Sequence, residues 1–175
     1  MTVRRGKSML LGLSKIIDTP GASVSFSVDV DLSDLCYGVS YPVSEPVKAV
    51  GTVRNTAGVL MMSGSISTCI HGICDRCASP FDREVSFPLD GVVLVSEMAN
   101  EENEDEWVFP LEGDSADLED IVRTVFVLNF SSKLLCREDC KGLCFRCGKN
   151  LNEGPCNCQK EIDPRLAALK QLLYK

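Results

Sequence analysis

The most constraining feature of this chain is a run of cysteines from Cys136 to Cys158, which places six of the ten cysteines within 23 residues. In its second half, a pair with a two-residue spacer and a pair with a one-residue spacer are separated by eight residues rich in glycine and asparagine. A two-residue spacer lets both thiolates turn towards one point, and the glycine that follows permits a left-handed backbone. Too few apolar residues lie here to build a core, so a bound ion would have to hold the segment together.

Four thiolates suit one tetrahedral Zn²⁺ ion at sulfur distances of about 2.3 Å. The spacing predicts such a site at Cys144, Cys147, Cys156 and Cys158, and an exchange with Cys136 or Cys140 stays open. Disulfide bonds and iron–sulfur ligation are the alternatives. Clustered thiols bind metal more often than they form disulfides in a reducing compartment, so the pattern favours zinc in the cytoplasm.

A second pair with a two-residue spacer lies in mid-chain, at Cys74 and Cys77. Together with the six cysteines of the C-terminal run it makes eight thiols, which would suit two four-sulfur sites. A second metal site that uses Cys74 and Cys77 is therefore a candidate. Cys36 and Cys69 follow no spacing pattern, and we interpret them as small core residues.

Composition and length set the class of protein. The 175 residues are 45% hydrophobic and 25% charged, as in an ordinary globular protein that buries one core. No apolar run approaches the roughly 20 residues that a membrane span needs, so no membrane partner is expected. The N-terminus has a short apolar patch that Lys15 interrupts, which does not resemble a signal peptide.

The charge is divided unevenly along the chain. Residues 1–132 carry 9 Lys or Arg against 20 Asp or Glu, whereas residues 133–175 carry 9 against 5. A basic segment on an acidic chain suggests a polyanion partner, although it also fits a solvated face around a metal knuckle. The candidate nucleic-acid-binding residues are Lys141, Arg146, Lys149, Lys160 and Arg165.

Hydrophobic periodicity predicts a short amphipathic helix at 8–17, a helix at 115–129 and a closing helix that begins near Asp163. Alternation predicts strands at 23–31, 47–56, 59–67, 83–89, 92–95 and 107–109. The acidic run at 101–106 is interpreted as a solvated loop.

Hairpin strands followed by helices indicate the α+β class. We expect a curved antiparallel sheet of five or six strands, or a small partly open β-barrel, with one covering helix. The predicted division is a β-rich body at 1–132 and a cysteine-rich zinc knuckle with a C-terminal helix at 133–175.

The cysteine run, with its Cys140-Lys-Gly-Leu-Cys144 core, resembles the C-terminal signature of the YceD-like family, formerly a domain of unknown function. The mid-chain Cys74-x-Arg-Cys77 agrees, and the resemblance covers most of residues 20–175. It departs at 129–132, where many relatives have a proline before the first cysteine. The resemblance implies a bacterial or plastid-type cytosolic protein that supports accumulation of large-subunit (23S) rRNA.

The sequence is compatible with three functions. The leading hypothesis is a non-enzymatic ribosome-biogenesis factor that binds rRNA, a large-subunit ribosomal protein or both. The second is a protein-only adaptor, in which acidic residues at 101–106 and 114–120 receive a small basic ribosomal protein. The third is a thiol redox protein or another enzyme. The single histidine, His71, and the lack of any phosphate loop or nucleophile motif make an enzyme with a small-molecule substrate the weakest of these.

Overall fold

A computed structural model describes residues 9–38, 40–95, 107–131 and 133–158. Their helices and strands, in chain order, are β1 (Leu10–Gly12), α1 (Ser14–Ile17), β2 (Ser23–Val30), β3 (Val47–Thr56), β4 (Val59–Ile73), β5 (Pro80–Pro88), β6 (Val92–Val95), β7 (Trp107–Pro110), β8 (Ser115–Asp117) and α2 (Leu118–Asn129). The mainly β composition with few helices is confirmed. The predicted closing helix and the acidic run at 101–106 lie outside the described residues.

The main sheet has six strands and is open. Its order is β2-β3-β4-β6-β7, and β5 also pairs with β4. The barrel alternative is therefore wrong for the described part of the chain, where β2 and β7 lie at opposite ends of this order. The expectation of a wholly antiparallel sheet is also wrong, because β6 and β7 pair in parallel.

Strand β4 organises this sheet because it is long enough to pair with three neighbours. Residues 59–67 pair with β3 on one edge. On the other edge, residues 60–62 pair with β6 and residues 65–73 pair with β5. The β4–β5 hairpin thus extends beyond β3, and its last pair, Ile73 with Pro80, leaves Cys74 and Cys77 in the connecting loop.

The β3–β4 hairpin closes at residues 57–58, between the two strands predicted at 47–56 and 59–67. Ala57 and Gly58 have φ angles of 54° and 93°, as a tight two-residue hairpin turn of the I′ kind requires. The side chain of Asn55 accepts a hydrogen bond from the Gly58 N–H at 2.8 Å. Its amide group also donates to the carbonyls of Ile16 and Ile17, so this fully buried residue attaches α1 to the sheet.

Two glycines let strands β2, β3 and β4 approach closely under an aromatic ring. Phe26, Gly51 and Gly64 are paired across the three strands. A Cβ atom on Gly51 would lie 2.8 Å from Cζ of Phe26, and one on Gly64 would lie 2.2 Å from the carbonyl oxygen of Val50. Glycine is therefore required at both positions by close approach.

The helix expected at 115–129 begins three residues later. Residues 115–117 form β8, which pairs with β1, and the Asp117 side chain then caps α2 by accepting hydrogen bonds from the N–H groups of Glu119 and Asp120. The helix expected at 8–17 is also wrong over much of its length. Residues 10–12 are strand β1 because β8 offers them hydrogen-bond partners, and only residues 14–17 are helical.

Helix α2 covers the inner face of the sheet. Its buried side chains recur at helical spacing and are Leu118, Ile121, Val122, Val125 and Phe126. Burial of each such side chain stabilises the fold by about 1.5–3 kcal/mol relative to its exposure. The described helices include none that is long and apolar enough to cross a membrane.

The close strand approach gives a testable prediction. We expect Gly64→Ala to lower the free energy of unfolding by about 2 kcal/mol or more, because its Cβ atom would meet backbone atoms that cannot move cheaply. Gly72→Ala, in the same strand, is the matched control, because its nearest neighbour is a Leu134 methyl group at 3.4 Å. Urea unfolding of both variants measures the difference, and equal midpoints would contradict the packing argument.

Candidate metal centres

The loop of the β4–β5 hairpin places two thiols at one end of the sheet. Cys74 and Cys77 are buried, with 1% and 5% of their surface exposed. The loop is closed by hydrogen bonds from Ala78 N–H to the Cys74 carbonyl and from Cys74 N–H to the Ser79 carbonyl, at 2.8 and 2.9 Å. Both side chains consequently turn to the same side of the loop.

The first group of four thiols, which we call the bridging cluster, consists of Cys74, Cys77, Cys136 and Cys140. Their sulfur atoms all lie within 4.8 Å of one another. The Cys74–Cys140 and Cys77–Cys136 sulfur distances are 3.8 and 3.7 Å. Four sulfurs at about 2.3 Å from one tetrahedral ion would be about 3.8 Å apart, so the donor set and spacing fit one such ion.

The second group, which we call the tail cluster, consists of Cys144, Cys147, Cys156 and Cys158. Its sulfur atoms also lie within 4.8 Å of one another. Cys144 is buried, Cys156 and Cys158 are half-buried, and Cys147 is exposed. This is the set that the sequence predicts as its first site, and the structure brings all four thiols together.

Cys136 and Cys140 lie with the mid-chain pair and not with the tail cluster. The eight thiols thus form two groups of four, each of which could hold a metal ion. All ten cysteines are free, and sulfur distances near 3.7 Å are far longer than the roughly 2.05 Å of a disulfide bond. A spacing that suits one ion is also too small for an iron–sulfur cluster with its own bridging sulfides.

The thiols of each cluster do not ionise alike. Burial raises the pKa of Cys74, but backbone N–H groups outweigh it and lower this pKa to about 6. Burial and the neighbouring thiols raise the pKa of Cys136 to about 12. In the tail cluster, backbone N–H groups lower the pKa of Cys144 to about 6, whereas a hydrogen bond with Cys147, together with burial, raises that of Cys158 to about 12. Each cluster therefore contains a thiol that ionises readily and one that resists ionisation, and a bound divalent cation would favour the thiolate form of all four.

Backbone and side chain of Arg76 together hold the tail segment around the bridging cluster. Its guanidinium donates to the carbonyls of Glu138 and Cys140, both at 3.1 Å. Its carbonyl accepts from the Leu143 N–H at 3.0 Å. Gly142 has a φ of 73°, and a Cβ atom there would lie 2.9 Å from the Arg76 carbonyl oxygen, so only glycine fits this contact.

A pair of hydrogen bonds between Asp75 and Leu134 joins the hairpin loop to the start of the tail segment, residues 133–158. The Leu134 N–H donates to the Asp75 carboxylate at 2.7 Å, and the Asp75 N–H donates to the Leu134 carbonyl at 2.8 Å. The Leu134 side chain is 3% exposed and belongs to the main core. The tail is thus anchored by packing and hydrogen bonds immediately before it supplies Cys136 and Cys140.

Asn152, in the loop between Cys147 and Cys156, contacts the bridging cluster. Its side-chain amide donates to the Cys140 sulfur at 3.3 Å and to the Asn150 side chain at 2.9 Å. Its side-chain oxygen accepts from Arg137 and from the Lys141 N–H, both at 2.8 Å. The hydrogen bond from the Asn152 amide to the Cys140 sulfur lowers the pKa of Cys140. Hydrogen bonds of this kind, from residues outside the ligand set, orient metal ligands. Sequence reasoning missed Asn152, for which only the asparagine-rich loop is a signal.

The remaining candidates lie elsewhere. Cys36 is exposed, and Cys69 is half-buried and lies outside the buried core, so the interpretation of both as core residues is wrong. His71 lies opposite Asp82 on β5, with 2.6 Å between Nδ1 and the carboxylate, and this hydrogen bond raises the pKa of His71. This contact is a cross-strand hydrogen bond, which becomes an ion pair when His71 is protonated, and it gives His71 a structural role.

Three of the five candidate phosphate-binding residues are described. Lys141, Arg146 and Lys149 are exposed, the last two within or beside the tail knuckle, and the Lys149 ammonium also donates to the Pro155 carbonyl at 2.9 Å. Lys160 and Arg165 lie outside the described residues.

Comparison with known proteins places the chain in a family. The profile described as "Large ribosomal RNA subunit accumulation protein YceD" matches residues 62–173, which include both thiol clusters. The chain belongs to this family. An uncharacterized protein of Mycobacterium tuberculosis is 30% identical over 122 residues, covering 69% of this chain and 59% of that protein.

A chloroplastic protein of Arabidopsis thaliana, named large ribosomal RNA subunit accumulation protein YCED homolog 1, is 26% identical over 148 residues, covering 69% of this chain and 46% of that protein. The maize protein of the same name is also 26% identical, over 154 residues, with coverages of 71% and 53%. The chain thus spans about half the length of the curated relatives that it matches. No solved structure matches it significantly.

The two knuckles share a backbone conformation but differ in the residue that follows the second cysteine, which gives a prediction. The residue after the second cysteine has positive φ in both, 55° at Ala78 and 70° at Gly148. We expect Gly148→Ala to destabilise the tail knuckle by about 1–2 kcal/mol and Ala78→Gly to be neutral or stabilising, because a Cβ atom is strained at such φ angles.

Thermal unfolding and the rate of metal release to a chelator measure both variants. Gly12→Ala is the control, since that glycine has open space around it and no positive φ. A Gly148→Ala protein that unfolds at the same temperature as the Gly12→Ala protein, and that releases added Zn²⁺ to a chelator at the same rate, would contradict the shared-backbone argument.

Proposed function

We propose that this chain is a non-enzymatic, cytoplasmic ribosome-biogenesis factor that supports accumulation of large-subunit rRNA. In this proposal two zinc ions hold the C-terminal segment on the end of the sheet, where its basic side chains contact rRNA. The observation that carries the proposal is the gathering of eight cysteines into two four-thiol clusters within the segment that matches the family profile.

The donor set supports zinc and a structural role. Four thiolates with tetrahedral spacing are the ligand set of structural zinc sites, whereas catalytic zinc sites keep a position open for water or substrate. Both clusters offer four sulfurs, so all four positions of a tetrahedral ion would be filled. This is the physical argument for a binding protein and against a zinc enzyme.

The charge of the tail supports an RNA partner. Residues 133–175 carry a net charge of +4 by residue type, and each zinc ion with four thiolates subtracts two, so the argument depends on the individual exposed cations and not on the total charge. Lys141 lies just before the tail cluster in sequence, and Arg146 and Lys149 lie within it. All three are exposed and can contact phosphates. The family description, which names large-subunit rRNA, points the same way.

Two other functions remain as alternatives. An adaptor for a basic ribosomal protein would use the acidic residues of the body, but within the described part of the chain Asp117 already serves as the cap of α2. A thiol redox protein would use a pair of cysteines, whereas each Cys-x2-Cys pair here lies within a group of four.

Metal content tests the structural half of the proposal. We expect two zinc ions per chain after purification under reducing conditions, one after Cys147→Ser and one after Cys77→Ser, because a serine hydroxyl is a poor zinc ligand. Cys147 is exposed, so its variant tests the tail cluster with little effect on the core. Cys36→Ser, which changes an exposed thiol outside both clusters, should keep two. A metal-free wild-type chain with an unchanged fold would refute the zinc proposal.

Salt dependence tests the RNA half. We expect affinity for a large-subunit rRNA fragment to fall roughly tenfold or more between about 50 and 200 mM salt, because phosphate contacts release counterions. The double variant Arg146→Gln/Lys149→Gln should lower the slope of the log–log plot by about 1–2.

The matched control is Lys48→Gln/Arg54→Gln, which removes the same charge from exposed positions on β3 and should leave the slope unchanged. Affinity that is independent of salt would remove the phosphate-contact hypothesis. Retention of a basic ribosomal protein after nuclease treatment, without RNA affinity, would favour the adaptor.

A further inference from the structure

The tail knuckle displays an aromatic ring to solvent. Phe145 lies between Cys144 and Cys147 and is 84% exposed, the highest exposed fraction of any large hydrophobic side chain in the described residues. Its backbone is held on both sides, because Gly148 N–H donates to the Cys144 carbonyl at 2.9 Å and Cys144 N–H donates to the Lys149 carbonyl at 2.8 Å. The exposure therefore belongs to an ordered turn, where the ring is available to a ligand.

The other knuckle shows that the same backbone can use these positions internally. Asp75 and Arg76 occupy the two spacer positions of the Cys74 knuckle, and both bind the tail segment through hydrogen bonds. At the first spacer position of the tail knuckle stands Phe145 in place of Asp75. A ring that is 84% exposed contributes little to packing, so the internal role of its counterpart does not account for it.

The side chains that flank Phe145 in sequence are mainly cationic, and the nearest acidic residues are Glu138, Asp139 and Glu153. From Cys140 to Asn152 the sequence contains Lys141, Arg146 and Lys149 and no Asp or Glu. All three cationic residues are exposed. An exposed ring among cations complements a nucleotide, whose base can stack on the ring while the flanking phosphates meet the cations.

We propose that Phe145 is a stacking platform for an unpaired base of RNA, with Arg146 and Lys149 placed beside it for the adjoining phosphates. This inference rests on the proposed RNA-binding function and narrows its ligand from rRNA in general to an unpaired stretch. Base stacking is tolerant of sequence because every base has a π face, so the platform selects single strands over duplex.

A protein partner fits this surface less well. Stable protein interfaces bury about 800 Å² on each partner around an apolar centre. Only Phe145 and Leu143, at 84% and 41%, are exposed large hydrophobic residues in the described part of the tail. One ring within a cationic loop has the area of a base rather than of a protein interface.

The test compares Phe145 variants of the metal-loaded full chain by fluorescence anisotropy. The probes are a short unstructured oligoribonucleotide, an RNA duplex of equal length, and the single strand with abasic sites. We expect Phe145→Ala to weaken single-strand binding roughly 5- to 150-fold, Phe145→Tyr to retain it, and Phe145→Leu to lose most of it. Duplex and abasic probes should respond little to any of these changes.

Leu128→Ala is the matched control, because it removes a 68% exposed side chain on α2, and it should leave all affinities unchanged. Equal single-strand affinities for wild type and Phe145→Ala would overturn the inference while the proposed function stands. Wild-type affinity for the Phe145→Leu variant would overturn it too, since an apolar contact would then suffice. Loss of a protein partner instead of RNA would assign Phe145 to protein binding, and a wild-type chain that binds no RNA would refute both proposals.

Discussion

The bridging cluster is the contact on which the arrangement of this chain depends. Its sulfurs come from a hairpin loop and from a segment about 60 residues further on, since Cys77 and Cys136 are separated by 59 positions. An ion held by these four thiols would act as a crosslink that closes a long loop, and the entropy cost of closing such a loop grows only slowly with its length. The extended β4–β5 hairpin carries Cys74 and Cys77 beyond β3, where the tail can reach them.

The two thiol clusters have different structural roles. In the bridging cluster the spacer residues Asp75 and Arg76 form hydrogen bonds with the tail segment. The Cys74–Cys77 knuckle is therefore a structural joint. In the tail cluster the spacer residue Phe145 and the nearby Lys149 are exposed. The Cys144–Cys147 knuckle therefore presents its side chains to solvent and forms a surface. Asn152, in the loop of the tail cluster, hydrogen-bonds to the bridging thiol Cys140 and so connects that loop to the structural joint. This relation gives an exposed, cationic segment a defined shape without a hydrophobic core of its own.

The family match coincides with this assembly. It begins at residue 62, within β4, and therefore includes the hairpin, α2 and both clusters, whereas β2 and β3 precede it. The outer strands support the hairpin through the close approach at Gly51 and Gly64. The part of the chain that resembles its relatives is thus the part that builds the joint and the surface, and the prediction of a boundary at residue 132 stays a prediction.

Local patterns in the sequence predicted most of the strands and helix α2, and they favoured the four thiols of the tail cluster while an exchange with Cys136 or Cys140 stayed open. Alternation specifies one buried face of a strand, and a four-thiol set within 15 residues can close on itself with no help from the rest of the chain. Only the tertiary structure decided which thiols join Cys74 and Cys77, because that depends on where a distant hairpin ends. It likewise turned residues 10–12 into a strand, paired β6 with β7 in parallel, and left Cys36 exposed. These outcomes rest on contacts between residues far apart in the chain, and no short-range pattern encodes them.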